Sequence, residues 1–294
     1  DSHDCRVWIL DTGAESPRVL GGCGDGPGEL RNATAATFSG DTLLLVDQGR
    51  GSMVKMTLDG EEVERSAFNV YSLGALFVTD VYLWQDGEIL ATLSLFPNSE
   101  GAKHSQVASF DRFGGDPTSL GLFAPPVAQR TPRPIPRPGS ICVATTEGSG
   151  DVVVAVNTWG PQIALLERRS LDPILSARIP FEWARAREHS LRPGHWGPTS
   201  PEPRAACSDE YAIIGYRRQW YASDGVSDVV AGGMVVMNLN EGTMTVLGGE
   251  EPPEPGSVTL MTPGAASGDR FFFYTNSQFD YPVVREYQLV QNRN

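Results

Sequence analysis

Metal-assisted hydrolysis or lyase chemistry needs three or four oxygen or imidazole ligands converging on one point. The sequence offers four histidines, His3, His104, His189 and His195, none on a segment patterned as a strand, and only His189 and His195 share a loop. Asp47, Asp59, Asp86, Asp151 and Asp269 all border turns, where an aspartate bonds nearby backbone N–H groups. Glu250, Glu251 and Glu254 lie in a proline-rich stretch and read as solvated carboxylates, with a structural calcium site as the alternative. G-x-S-x-G elbows, Walker loops and H-E-x-x-H helices do not occur. Gly24–Glu29 is glycine-rich, but no helix pattern follows to aim its amides at a phosphate. Asn32-Ala33-Thr34 has the spacing of a glycosylation acceptor that most bacteria leave unmodified. The expectation from these residues is no catalytic group, no metal and no cofactor, hence not an enzyme.

Protein recognition is the chemistry the residue types favour instead. Ala124–Gly139 holds six prolines and the arginines Arg130, Arg133 and Arg137, so it reads as extended, stiff and unfit for a central strand. Phe181–Ala206 carries Trp183, Arg185, Arg187, Arg192, Trp196 and Arg204. Across both segments seven arginines face only Glu182, Glu188 and Glu202, in a chain of net charge −13. Arginine and tryptophan are the residues that anchor protein interfaces. Trp220 and Tyr221, on a segment read as the loop Arg217–Ser227, join the candidate partner-binding set. An ordinary solvated linker is the alternative for both long segments.

The acidic balance argues against nucleic acid, which needs a basic stripe. No apolar run reaches the length needed to span a bilayer. The chain opens at Asp1 without a basic or apolar leader, which suggests an export signal already removed and a periplasmic or secreted location. Four cysteines allow three pairings. A hairpin of Arg6–Leu10 with Arg18–Gly22 would set Cys5 nearly opposite Cys23. Cys142 and Cys207 occupy matching places in successive repeats and form the natural second pair. Four free thiols remain the alternative.

The elements that must position these residues are strands. Helical periodicity is nearly absent, and short β-rich runs alternate with Gly/Asp/Asn turns. Asp41–Val46, Met53–Leu58 and Glu62–Phe68 form one series. Glu88–Leu95, Gln106–Phe110 and Ser119–Phe123 form a second. Ile141–Thr145, Asp151–Asn157, Gln162–Glu167 and Ile174–Ile179 form a third. Ala205–Cys207, Tyr211–Tyr216, Val229–Asn238 and Thr243–Leu247 form a fourth. Val258–Thr262, Arg270–Thr275 and Val283–Val290 end the chain. The spacing is that of four-stranded propeller blades, and a β-sandwich would leave the matched turns unexplained. The expected architecture is all-β: one β-propeller domain over residues 1–294, with 124–139 and 181–206 as long inter-blade linkers. The hairpin within 1–23 would close the ring by completing the last blade. Tight turns fall at one end of each blade and long segments at the other, so the long-loop side is the expected docking side.

Gly21–Glu29 (GGCGDGPGE), Asp41–Asp47 (DTLLLVD) and the turn Leu58-Asp59-Gly60 resemble the first blade of the NHL/TolB-like six-bladed propellers of bacteria. Met234–Asn240, Arg270–Thr275 and Arg285–Leu289 resemble the last blades of the same group. The resemblance implies six blades, one more than the five units counted from the residues, and says little about activity. The functional expectation is a scaffold subunit outside the cytoplasm that docks on an envelope membrane complex, a photosynthetic reaction-centre assembly being one such setting. The alternatives are a lactonase-type hydrolase or lyase with a channel metal, and a small-ligand or glycan sensor using Trp220, Tyr221 and Phe279.

Overall fold

Apolar side chains on both faces of the middle strands decide how this chain folds. In the computed structural model, β4 (Thr42–Asp47) buries Leu43, Leu44, Leu45 and Val46 completely. Successive strand residues point to opposite faces, so such a run fits only a strand covered on both sides. Leu44 and Val46 join a cluster with Val78, Ile89, Leu93 and Phe110, whereas Leu43 and Leu45 join one with Cys5, Ile9, Leu20 and Leu30. Each fully buried leucine contributes about 1.5–3 kcal/mol against exposure.

The structure describes residues 5–9, 17–84, 86–95, 105–123, 140–147, 150–157, 162–178, 202–221, 228–247, 261–267, 269–275 and 283–289. The chain divides into two compact units, residues 1–122 and 123–294. In the first, β1 (Arg6–Ile9) and β2 (Arg18–Gly21) form a hairpin. A four-stranded sheet follows, from β3 (Ala33–Ser39), β4, β5 (Ser52–Thr57) and β6 (Glu62–Ala67). A 3-10 turn, Val70–Leu73, leads to a second sheet of β7 (Ala75–Leu83), β8 (Ile89–Leu95), β9 (Ser105–Phe110) and β10 (Ser119–Phe123).

The second unit repeats the plan. The third sheet holds β11 (Ser140–Thr146), β12 (Gly150–Asn157), β13 (Gln162–Glu167) and β14 (Pro173–Arg178). The fourth holds β15 (Glu202–Cys207), β16 (Tyr211–Tyr221), β17 (Asp228–Asn238) and β18 (Met244–Val246). The fifth holds β19 (Met261–Ser267), β20 (Arg270–Thr275) and β21 (Val283–Gln288). In every sheet the strands are neighbours in chain order.

These sheets are the blades of a β-propeller: each is an up-and-down meander, and within each unit successive sheets pack face to face. The third and fourth share a core of Val152, Val154, Leu165, Ile214, Val235 and Met237. The fourth and fifth share Ala206, Ile213, Val236, Phe271 and Phe273. Both expected disulfides are present, Cys5–Cys23 at a Cα separation of 5.0 Å and Cys142–Cys207 at 5.5 Å. The first closes the open end of the hairpin, with Cys5 one position and Cys23 two positions beyond the pair Arg6↔Gly21.

Several boundaries differ from the sequence reading. β16 runs on to Tyr221 because Arg217–Tyr221 stays in register with Asp228–Gly232, so the loop expected from Arg217 shrinks to residues after Tyr221. β15 begins at Glu202 rather than Ala205, since Glu202 already pairs with Arg217, and this takes Arg204 out of the expected linker. Ring closure by the N-terminal strands is not among the described pairings. The hairpin forms a two-stranded sheet of its own, separate from the sheet of Phe271–Phe273, and its apolar face is spent on the first blade.

Candidate functional site

Of the candidate partner-binding residues, Arg204, Trp220 and Tyr221 lie on described backbone. Arg204 sits on β15 opposite Gly215, Glu202 opposite Arg217, Trp220 opposite Val229 and Tyr221 opposite Asp228. The start of β15, the end of β16 and the start of β17 are therefore one end of one blade. Among the described residues β15 pairs with β16 as far as Arg217, and β18 pairs with β17 over Val235–Met237. Arg218–Tyr221 and Asp228–Ala231 continue the β16–β17 pairing as a two-stranded ribbon beyond the described residues of both outer strands. Arg130, Arg133, Arg137, Trp183, Arg185, Arg187, Arg192 and Trp196 lie outside the described residues, as do Phe279, the four histidines, and Glu250, Glu251 and Glu254.

Blade ends are unequal in the described sheets. The first and second strands join through short turns, as at Cys207–Tyr211 in the fourth blade, where the Ser208 amide donates to the Tyr211 carbonyl at 2.8 Å. The third and fourth do likewise, with the Asn238 amide donating to the Thr243 carbonyl at 2.9 Å. Trp220 and Tyr221 stand at the opposite end, where β16 passes into β17.

A second constellation, read from sequence only as a turn and a glycine loop, lies in the first blade. Asp47 is the last residue of β4, and its side chain has no solvent exposure. Its carboxylate accepts the backbone N–H groups of Arg31 (3.2 Å) and Asn32 (3.0 Å), and Arg65 donates to it at 3.4 Å. Arg65 also donates to Ser52 Oγ, to the Glu29 carbonyl, and to Glu62 at 2.7 Å. Glu62 in turn accepts the Gly28 N–H at 2.8 Å. Arg50 lies 3.8 Å from Asp47 and 3.1 Å from Asp25, and it donates to the Gly24 carbonyl. Asp25 takes both prongs of Arg31 at 2.8 Å.

This network fastens the Gly24–Glu29 loop to the blade. Glu29 folds back to accept the Gly26 N–H at 2.6 Å. A Cβ at Gly24 would meet that carboxylate at 2.1 Å, so glycine there makes room for it. Gly49 serves the same end in the β4–β5 turn, where a Cβ would meet Arg31 Cβ at 2.7 Å. The loop's amides are engaged by the chain's own carboxylates, and the arrangement is a fastening rather than a ligand cradle. Among the described residues, no group of three or more His, Cys, Asp or Glu side chains is placed to hold a metal.

The hydrogen bond from Arg65 holds the Glu62 carboxyl below the ordinary carboxylate range, and the Glu62 bond raises Arg65 in turn. Arg31 does the same to the exposed Asp25. A carboxyl depressed in the folded state adds stability above its unfolded value and loses it as pH falls through the folded value. Denaturant midpoints should therefore fall between about pH 5 and pH 3. Glu62→Gln should flatten that decline, and an unchanged pH slope in the variant would exclude Glu62 as its source.

No family model matches the sequence, and no curated protein does. Among solved structures, a protein of Bacteroides fragilis NCTC 9343 classed as exported aligns at TM-score 0.54 with 10% identity, covering 93% of this chain and 75% of its own. Hydrazine synthase of Kuenenia stuttgartiensis aligns at 0.47 with 9% identity over 82% of this chain and 61% of its own. Streptogramin B lyase aligns at 0.37 with 10% identity over 88% and 84%. At these identities the likeness speaks for the fold alone. It corrects one expectation: the chain was expected not to be an enzyme, but enzymes are among the structures that align with it. The fold and the lack of sequence motifs give no ground for excluding catalysis.

Proposed function

We propose that this chain is a propeller exported from the cytoplasm that docks a protein partner through the long-connection ends of its blades, as an extrinsic subunit of an envelope membrane complex. The observation that carries the reading is the fourth blade. Its β16–β17 pairing runs on to Tyr221 and Asp228 and brings Trp220 and Tyr221 to the same end as Arg204 and Arg217. Aromatic and arginine residues on a rigid scaffold are what protein interfaces use for anchors. The sequence attaches the arginine- and tryptophan-bearing stretch of 181–201 directly to the start of β15. Two disulfides support an oxidising compartment. Among the described residues no helix is long and apolar enough to cross a membrane.

The finer reading of six blades of the NHL/TolB-like type belongs to the same proposal. It is supported by the way β1–β2 stacks on the first blade as a blade remnant would.

The test is capture from native membranes. The chain should co-purify with a membrane complex, and reversing Arg130, Arg133, Arg185 and Arg187 to Glu should weaken capture at least about tenfold, as expected when interface anchors are lost. Trp220→Ala should weaken it separately. Undiminished capture by all of these variants would overturn the surface.

A further inference from the structure

β15 enters its blade with small apolar side chains. Its sequence, Glu-Pro-Arg-Ala-Ala-Cys, contains no large apolar side chain. Of the residues Arg204–Cys207, Ala206 is buried, against Ile213, Val236, Phe271 and Phe273, and Ala205 and Cys207 are partly buried against the core shared with the third blade. Pro203 faces Tyr216 at a position of the same parity as Ala205, where the N–H points away from β16, so the proline leaves the ladder intact and offers no donor on that outer edge. β15 is also an end strand of its sheet, with β16 its single ladder partner. Towards the third blade, β15 is tied by Ala205 N–H donating to Ser140 Oγ at 3.1 Å and by the Cys142–Cys207 disulfide. The core behind it is built of larger side chains, Val152, Val154, Leu165, Ile214, Val235 and Met237, to which β15 adds only the partly buried Ala205 and Cys207.

We propose that Cys142–Cys207 is a redox-sensitive pin whose reduction releases β15 while the blades behind it stay folded. Cys207 is partly exposed whereas Cys142 is 8% exposed, so attack falls on Cys207 Sγ. A dithiol reductant, as its thiolate, forms a mixed disulfide there and expels the Cys142 thiolate. Its second thiolate then resolves the mixed disulfide and frees Cys207. Two electrons and two protons pass to the bridge, and the reductant leaves as its own disulfide. The freed strand is the one that carries Arg204 and anchors one end of the segment 179–201, so the pin governs how firmly that segment is presented. The inference stands on the packing of β15 and does not depend on the docking proposal.

Hydrogen exchange read by mass spectrometry on the full chain tests it, before and after treatment with dithiothreitol, with alkylation to prove two new thiols at 142 and 207. In the oxidised protein the β15 amides should exchange in step with β12 and β17. After reduction, peptides covering Ala205–Cys207 should exchange on the order of 10- to 100-fold faster than β12 and β17. Cys5→Ser with Cys23→Ser should leave this behaviour intact, and Cys142→Ser with Cys207→Ser should reproduce the reduced state without reductant. β15 still exchanging in step with β12 and β17 once both thiols are alkylated would overturn the pin. A uniform acceleration of the whole 123–294 unit would overturn it too, since the bridge would then be a global staple.

Discussion

Asp47→Ala should lower the unfolding free energy by about 3–5 kcal/mol, the range for removing one member of a buried charged pair. The carboxylate is wholly inaccessible and serves several donors at once: two backbone amides fifteen and sixteen residues away and the Arg65 guanidinium. Deleting it strands the N–H groups of Arg31 and Asn32 and withdraws an acceptor from Arg65, and each orphaned buried donor costs about 1–3 kcal/mol. The damage should also travel. Arg31 and Asn32 link the Gly24–Glu29 loop to β3, so the hairpin fastened by Cys5–Cys23 loses one of its ties to the blade. Asp47→Asn keeps the volume but turns an NH₂ towards donors, and should cost less than alanine while still exceeding about 1 kcal/mol. Urea unfolding of both variants at neutral pH checks the ranking. A loss below about 1 kcal/mol for alanine would mean that the arginines and amides find other acceptors.

The same residue shows how far a sequence can be read. Asp47 stands beside the turn Gln48–Gly51 and was assigned the ordinary duty of an aspartate there, bonding nearby amides. It does accept backbone N–H groups, but from Arg31 and Asn32, which only the β3–β4 register brings alongside. The turn was legible from composition; the hub was not, because its partners are non-local. The run Leu43–Val46 was legible because four successive apolar residues fit only a strand buried on both faces. The hairpin pairing of Cys5 with Cys23 followed from counting positions along two strands. The β16–β17 ribbon was missed because Arg217-Arg218-Gln219 reads as polar loop. What keeps it extended is cross-strand pairing with Val229–Gly232, a long-range term outweighing local propensity. The glycine loop was read as free of ligand geometry, and its Gly24 and Gly26 prove to be spacers for Glu29, while Gly49 allows the close approach of the β4–β5 turn to Arg31.

Phe110→Ala should cost about 3–5 kcal/mol, the range for truncating a buried phenylalanine. Phe110 ends β9 in the second blade and is 2% exposed. It meets Phe68, just past β6 of the first blade, with ring centroids 5.5 Å apart at 77°. Leu44, Val46, Met53, Ile89 and Leu93 complete the same cluster, so the ring fills the seam where two sheets stack. Sheets this rigid close little of the space left by a lost ring, and the cavity term therefore adds to the transfer term. Phe110→Leu should recover more than half of the loss, because a leucine refills most of the volume. A double-mutant cycle with Phe68→Leu should return about 0.5–1.5 kcal/mol of coupling for the edge-to-face pair. Zero coupling together with a full alanine penalty would mean that the seam is held by volume alone. A small alanine penalty would mean that the two sheets are held together elsewhere, and the blade-on-blade stacking assigned to this seam would have to be withdrawn.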